Sequence, residues 1–225
     1  MDDDCIPAPD ALEQLLRESE TMDGRGLAYS FLCSRAVDND DVVCNHPVPS
    51  TAKNLSGWPR WADVADTGCI LVDECTFVSA LVMSAAVRRV GLPISAMFIW
   101  GDDVEYTRRL ARLAPGIFVG RSRVVHKRAL AGQLSIFTET SPARVPLYRH
   151  FYRNRIYLYR NYFSSSRYIL YLMQVFGDLI GLAVTLRFDR AAIVVRGLWE
   201  GLVFNPPIEH SDEAPAPDRS QRSQS

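Results

Sequence analysis

Phe98-Ile-Trp-Gly-Asp-Asp-Val-Glu-Tyr106 sets two adjacent carboxylates between an apolar run and the start of a helical pattern. Met97 to Trp100 reads as a short apolar strand ending at Gly101-Asp102-Asp103. Val104 to Leu113 then reads as a helix, with Val104, Leu110 and Leu113 apolar and Arg108, Arg109 and Arg112 outward. A strand passing through a glycine turn into a helix is the repeating unit of a mixed α/β domain, and the neighbouring segments repeat it. Upstream, Cys69 to Val72 reads as a strand, and Cys75 to Val90 as a strand or turn entering a helix that Gly91 and Pro93 stop. Downstream, Gly116 to Val119 and Arg123 to His126 read as two more short strands. At the start of the chain, Leu12, Leu15 and Leu16 mark a helix over Ala11 to Glu20 with Asp10 at its N-cap. Residues 21–68 read as short strands joined by long loops.

Several groups in this pattern have chemical potential, and each also has a plainer explanation. Asp102 and Asp103 lie at the start of a helix, whose dipole keeps a carboxylate ionised and so suits a general base for a sugar hydroxyl. The same pair suits an N-cap with an acidic first turn. Asp2, Asp3 and Asp4 repel one another unless a cation offsets the repulsion, and their hard oxygens suit Mg²⁺ or Mn²⁺. Short acidic runs are also commonly solvated. His126 ends the strand in Arg121-Ser-Arg-Val-Val-His-Lys127, either as a structural imidazole or as a ligand at the same end of the sheet as the acids. Trp58 and Trp61, in Gly57-Trp-Pro-Arg-Trp61, serve either to stack on sugar faces or to anchor a loop.

Composition narrows the class. The chain has 225 residues, 48% hydrophobic and 23% charged, enough for a sizeable core and unlike a disordered or coiled-coil chain. Five cysteines, odd in number and with no C-x-x-C pair, indicate neither a disulfide framework nor a zinc site and fit a reducing, cytoplasmic setting. The near-neutral total hides an asymmetry. Met1 to Asp41 carries eleven acids against Arg17, Arg25 and Arg35, whereas Thr107 to Arg167 carries thirteen Lys and Arg against Glu139 alone. The acidic N-terminus does not resemble a secretory signal. Tyr168 to Leu186 is the one long apolar run, but Gln174, Asp178, Gly181 and Thr185 share a helical face. That pattern favours an amphipathic packed or surface-lying helix over a span, in which a mid-span aspartate costs about 2.5–3.5 kcal/mol. The expected organisation is a domain over 1–146, a helical appendage over 147–204 and a disordered tail over 205–225. The segment from Arg144 to Arg167 reads either as a helix packing its tyrosines inward or as a surface attached to an anionic membrane, with tyrosines at headgroup level. Nucleic-acid binding ranks below both, because no motif for it is present.

The acidic triplet with Pro and a helix, the helix ending in Val90-Gly-Leu-Pro93, the Trp100-Gly-Asp-Asp-Val-Glu-Tyr106 motif, Val124-Val-His-Lys127 and Tyr152-Arg-Asn-Arg-Ile-Tyr-Leu-Tyr-Arg160 together resemble glycosyltransferase family 2. The likeness covers about residues 1–200 and lies nearest the rhamnosyl- and galactofuranosyltransferase branch. It implies a partial GT-A fold, and a metal-dependent inverting transfer of a sugar such as rhamnose or galactofuranose from a UDP- or dTDP-sugar to a cell-surface glycan or lipid-linked acceptor. By the same likeness, Asp2, Asp3 and Asp4 bind the donor. Asp2, Asp4 and His126 hold Mn²⁺ or Mg²⁺, and Asp103 is the catalytic base. Trp100 and Asp102 line the acceptor site, to which Trp58 and Trp61 are candidate additions. The expected location is the inner face of the cell membrane. In the family, a nucleotide-binding half of the sheet precedes the acidic element. The expectation is therefore an N-terminally truncated chain that binds nucleotide sugars weakly, with a non-catalytic remnant, membrane-associated or partner-binding, as the alternative.

Overall fold

In the computed structural model, which describes residues 1, 3–127 and 134–210, one long strand organises the sheet. β6 (Gly116–His126) runs unbroken where two short strands were expected. β2 (Phe31–Val37) lies parallel to it on one side, with Phe31 opposite Gly116 and Val37 opposite Val125. On the other side, β4 (Cys69–Glu74) pairs antiparallel with its first half, and β1 (Cys5–Pro7) with its end, Cys5 facing His126. β5 (Ala80–Val82) borders β2 and β3 (Val48–Pro49) borders β4, giving the order β3-β4-β6-β2-β5 with β1 beside the end of β6. This is a mixed sheet in an α/β domain.

The expected break within β6 survives as a register shift. Ser34 pairs with Val119 and Arg35 with Arg123, so the intervening residues of β6 bulge out. Buried hydroxyls hold the bulge. Ser34 Oγ lies 2.7 Å from both Ser79 Oγ and Ser122 Oγ, and Ser122 Oγ donates to the Ala11 carbonyl at 2.8 Å. A hydroxyl taken from water needs such partners.

α1 (Ala11–Gly24) packs Leu15 and Met22 on one sheet face, against Leu32, Leu71, Ile117 and Val119. Asp10 holds the N-cap position, but its carboxylate makes no capping bond and accepts from Gln14 Nε2 at 3.2 Å instead. On the other face, α2 (Ser84–Val90) and α3 (Asp102–Ala111) enclose Phe31, Val72, Tyr106 and Leu110. Arg109 is not outward as expected. It is buried, its Nε and Nη2 each 2.9 Å from the Glu105 carboxylate, with further bonds to the carbonyls of Val90 and Leu92. Tyr162 Oη donates to the same carboxylate at 2.6 Å. Neighbours on both sides of α3 remove its solvent face there, and the ion pair endures because its hydrogen-bonding capacity is met by these partners. Arg108 also turns inward, pairing with Glu74 at 2.6 Å.

Met97 to Trp100 is not a strand. A short 3₁₀ turn over Ser95–Met97 passes into a loop in which Phe98 and Trp100 both take the left-handed backbone region, φ 65° and 62°. Four apolar residues in a row suggested a strand, but their side chains diverge, Met97 being fully buried and Phe98 68% exposed.

The chain ends in three helices, α4 (Tyr148–Tyr162), α5 (Ser165–Val184) and α6 (Phe188–Val203), which share a second core built on Tyr148, Tyr152, Ile156, Tyr171, Val175 and Val194. α6 approaches α4 closely through Gly197 and Gly201. A Cβ at either would lie 2.6 Å from the Arg149 carbonyl or 2.7 Å from Ile156 Cβ. Residues 205–210, expected to begin a disordered tail, return to the domain, where Leu92 N–H donates to the Glu209 carbonyl at 2.7 Å. The rest of that expected tail lies outside the described residues.

Candidate functional site

The pairing of β1 with β6 brings residue 4 to residue 126. Lys127 N–H donates to the Asp4 carbonyl at 2.9 Å, and across that bond His126 Nε2 lies 3.2 Å from Asp4 Oδ2. The other ring nitrogen, Nδ1, is 2.9 Å from Asn45 Oδ1. With the Asn45 oxygen accepting, Nδ1 carries a hydrogen and Nε2 faces the Asp4 carboxylate. Asn45 thus orients the imidazole in the way an outer partner orients a metal-bound histidine. Asp4, Cys5 and His126 offer ligand atoms all within 4.8 Å of one another. A carboxylate suits Mn²⁺ or Mg²⁺, while imidazole and the Cys5 thiol are softer donors better matched to zinc. Asp2 lies outside the described residues, and Asp3 is exposed.

Asn45 itself has φ 47°, a left-handed conformation that asparagine tolerates better than most residues. It also lines a cleft of about 360 Å³, together with Glu74, Trp100, Gly101, Asp103, Arg155 and Tyr159 among others. Asp103 is half-buried in the first turn of α3, and its Oδ1 accepts the Val104 N–H at 2.7 Å. Asp102 is the first residue of α3 and is not among the residues lining this cleft.

The loop leading into α3 is held from α4. Asn154 is fully buried, and its Nδ2 lies 2.9–3.0 Å from the carbonyls of Met97, Ile99 and Trp100. Arg153 Nη2 donates to the Ala96 and Met97 carbonyls at 2.7 and 3.1 Å. Gly101 has φ 105°, and a Cβ there would meet Leu158 Cδ1 at 3.1 Å. Non-glycine residues in the left-handed region cost roughly 1–3 kcal/mol each, so Phe98 and Trp100 need this clamp. Trp100 is set by Tyr148 and Phe151, ring centroids 5.0 and 6.2 Å away, with the Arg144 guanidinium 5.7 Å over its ring.

No family model matches the chain, and no curated protein or solved structure matches it either.

His126, Asp4, Trp100 and Asp103 are therefore brought to one region through Asn45. Trp58 and Trp61 are not. They sit in the loop between β3 and β4, 71% and 42% exposed, outside the residues that line the cleft. The Arg and Tyr segment follows its inward-packing alternative in part. Tyr148, Tyr152 and Tyr157 are buried and unavailable at a headgroup level, whereas α5 and α6 carry exposed apolar side chains such as Ile169, Phe176 and Trp199. Burial pushes the Cys69 thiol up to about 11, and a hydrogen bond with Cys33, then burial, raises Cys75, so these two are poorly suited as nucleophiles. Asn45, Glu74 and Asn154 were not singled out by their sequence context.

Proposed function

We propose that the chain is a family 2 glycosyltransferase that transfers a sugar such as rhamnose or galactofuranose, with inversion, from a UDP- or dTDP-sugar to a glycan or lipid-linked acceptor. One observation carries this reading. Asn45, hydrogen-bonded to His126, also lines the cleft containing Trp100 and Asp103, so a cation-suited end and a base-suited end share one rim. Asp4 and His126, with Asp2, are the residues that would hold Mn²⁺ or Mg²⁺, which when bound supplies positive charge for the leaving nucleoside diphosphate.

The chain's own groups do the rest. Asp103 takes the proton of the acceptor hydroxyl as that oxygen attacks the anomeric carbon. Trp100, fixed on the strained loop, presents an aromatic edge to the acceptor. Glu74 on the cleft wall is paired with Arg108. The location proposed is the inner face of the cell membrane. α5 is long and apolar enough to cross a bilayer, yet only 17% of its most apolar stretch is buried in the fold, and Ile169, Leu170, Met173 and Phe176 stand exposed. Gln174 and Asp178 on the opposite side fit a helix lying on the membrane better than one spanning it.

The test is nucleoside-diphosphate release from millimolar UDP- and dTDP-sugars in Mn²⁺, with chelation as the control. Asp103→Asn is expected to lower release by about 10²–10⁴-fold while donor binding persists. Release that survives Asp103→Asn unchanged would overturn the assignment of the base. Absence of release from every nucleotide sugar would overturn the activity.

A further inference from the structure

A second and larger cavity, of about 580 Å³, lies between α4, α5 and residues 134–137, and it shares Leu134, Phe151 and Arg155 with the cleft. Its size falls within the range of roughly 300–1,000 Å³ that holds small ligands. Most such cavities are chiefly apolar. This one has a guanidinium, a primary amide and a carboxylate on its walls, from Arg155, Gln174 and Asp178, interleaved with the rings of Phe137, Phe151 and Tyr171.

The polar groups retain hydrogen-bonding capacity. The Arg155 guanidinium lies 4.6 Å over the Phe151 ring and 5.7 Å from that of Tyr171, and it donates to no acceptor among the described residues. Stacked in this way it is fixed in orientation, with its planar fork of donors unused. Asp178 accepts from Tyr152 Oη at 3.2 Å, which leaves further acceptor positions on its two oxygens. Gln174, one turn earlier on α5 and exposed at the rim, supplies both a donor and an acceptor. One positive and one negative group across the same space balance each other, which favours a neutral ligand over an anion or a cation. Alternating donors and acceptors match adjacent hydroxyls, and aromatic faces match the apolar side of a sugar ring.

We infer that this cavity is a saccharide subsite: Arg155, Gln174 and Asp178 hydrogen-bond the hydroxyls of a neutral sugar unit whose apolar face packs on Phe151. Resting on the transferase reading above, it is where a non-reacting unit of the acceptor sits, one step along from the hydroxyl presented to Asp103. Arg155 and Phe151, common to both spaces, are the junction.

The experiment uses the full chain, fluorescently labelled, on an array of immobilised neutral and anionic di- and trisaccharides, with no donor and no metal present. The expected result is binding to a subset of the neutral sugars. Gln174→Ala and Asp178→Ala should each weaken that binding about 3- to 10-fold, the loss expected of one or two hydrogen bonds, and the double variant should abolish it. Gln174 is exposed, so its variant folds, and a thermal melt confirms this. No binding by the parent chain, binding confined to anionic sugars, or binding that survives the double variant would each overturn the subsite. The two failures are separable. Sugar binding without transfer from any nucleotide sugar refutes the transferase and leaves the saccharide site standing. Transfer that both single variants sustain at unchanged KM for acceptor refutes the site and leaves the transferase.

Discussion

Replacing Asn154 tests whether the loop that carries Trp100 and leads to Asp103 is held by hydrogen bonds or merely by packing. Its amide has two N–H donors shared among the carbonyls of Met97, Ile99 and Trp100. The Met97 carbonyl keeps a bond from Arg153 when the amide is lost, so two carbonyls lose their only named partner. At about 1–2 kcal/mol for each partly buried acceptor left unpaired, the expected loss is roughly 2–4 kcal/mol. For a domain of this length that corresponds to a fall in Tm of roughly 5–15 °C. Asn154→Asp keeps the volume and shape but sets a carboxylate against carbonyl oxygens, so it should lose at least as much as Asn154→Ala. Thermal unfolding followed by near-UV circular dichroism, with urea unfolding for ΔG, measures both. An aspartate variant within about 0.5 kcal/mol of the parent would refute the hydrogen-bond clamp and leave shape as the cause.

Breaking the buried Glu105 and Arg109 pair by Arg109→Met should cost about 3–5 kcal/mol in urea unfolding, because it strands a buried carboxylate. Gly201→Leu should destabilise by about 1–3 kcal/mol or more, since α6 must move off Ile156 to admit the side chain, and a thermal melt reads this. Tyr171→Phe removes a buried hydroxyl that has no hydrogen-bond partner among the described residues, so its Tm should equal or exceed that of the parent. Burial raises the Asp178 carboxyl above its ordinary range. Folding therefore penalises its ionised form, fully above the raised value, and the penalty vanishes as pH falls toward the unfolded value of about 3.9. Asp178→Asn should raise Tm at pH 7 and make no difference near pH 4, as a pH series of melts would show.

The parts of the fold visible in advance were those whose pattern is local. Cys69–Val72, the helix stopped at Gly91 and the three terminal helices announce themselves through apolar spacing and glycine. The loop at Met97 to Trp100 did not, because its conformation is imposed by Asn154, a residue on a different element. Arg109 was misplaced for a related reason. A charged residue on a helix is usually solvated, and only the packing of Tyr162, Val90 and Leu92 around it shows that no solvent face exists there. The site was legible as a set of types (acid, imidazole, tryptophan and acid), but their meeting depends on β1 finding β6 and on a single asparagine at 45 with no periodic signal. Trp58 and Trp61 show the converse, a suggestive sequence pair that the fold leaves apart from the cleft.

The partnership of β2 with β6 constrains how the protein comes into being. Phe31 and Gly116 are partners though eighty-five positions separate them, and the central ribbon cannot close until position 125 has been made. A nascent chain thus holds one edge of β2 unpaired until β6 has been made, and such distant closure is slow.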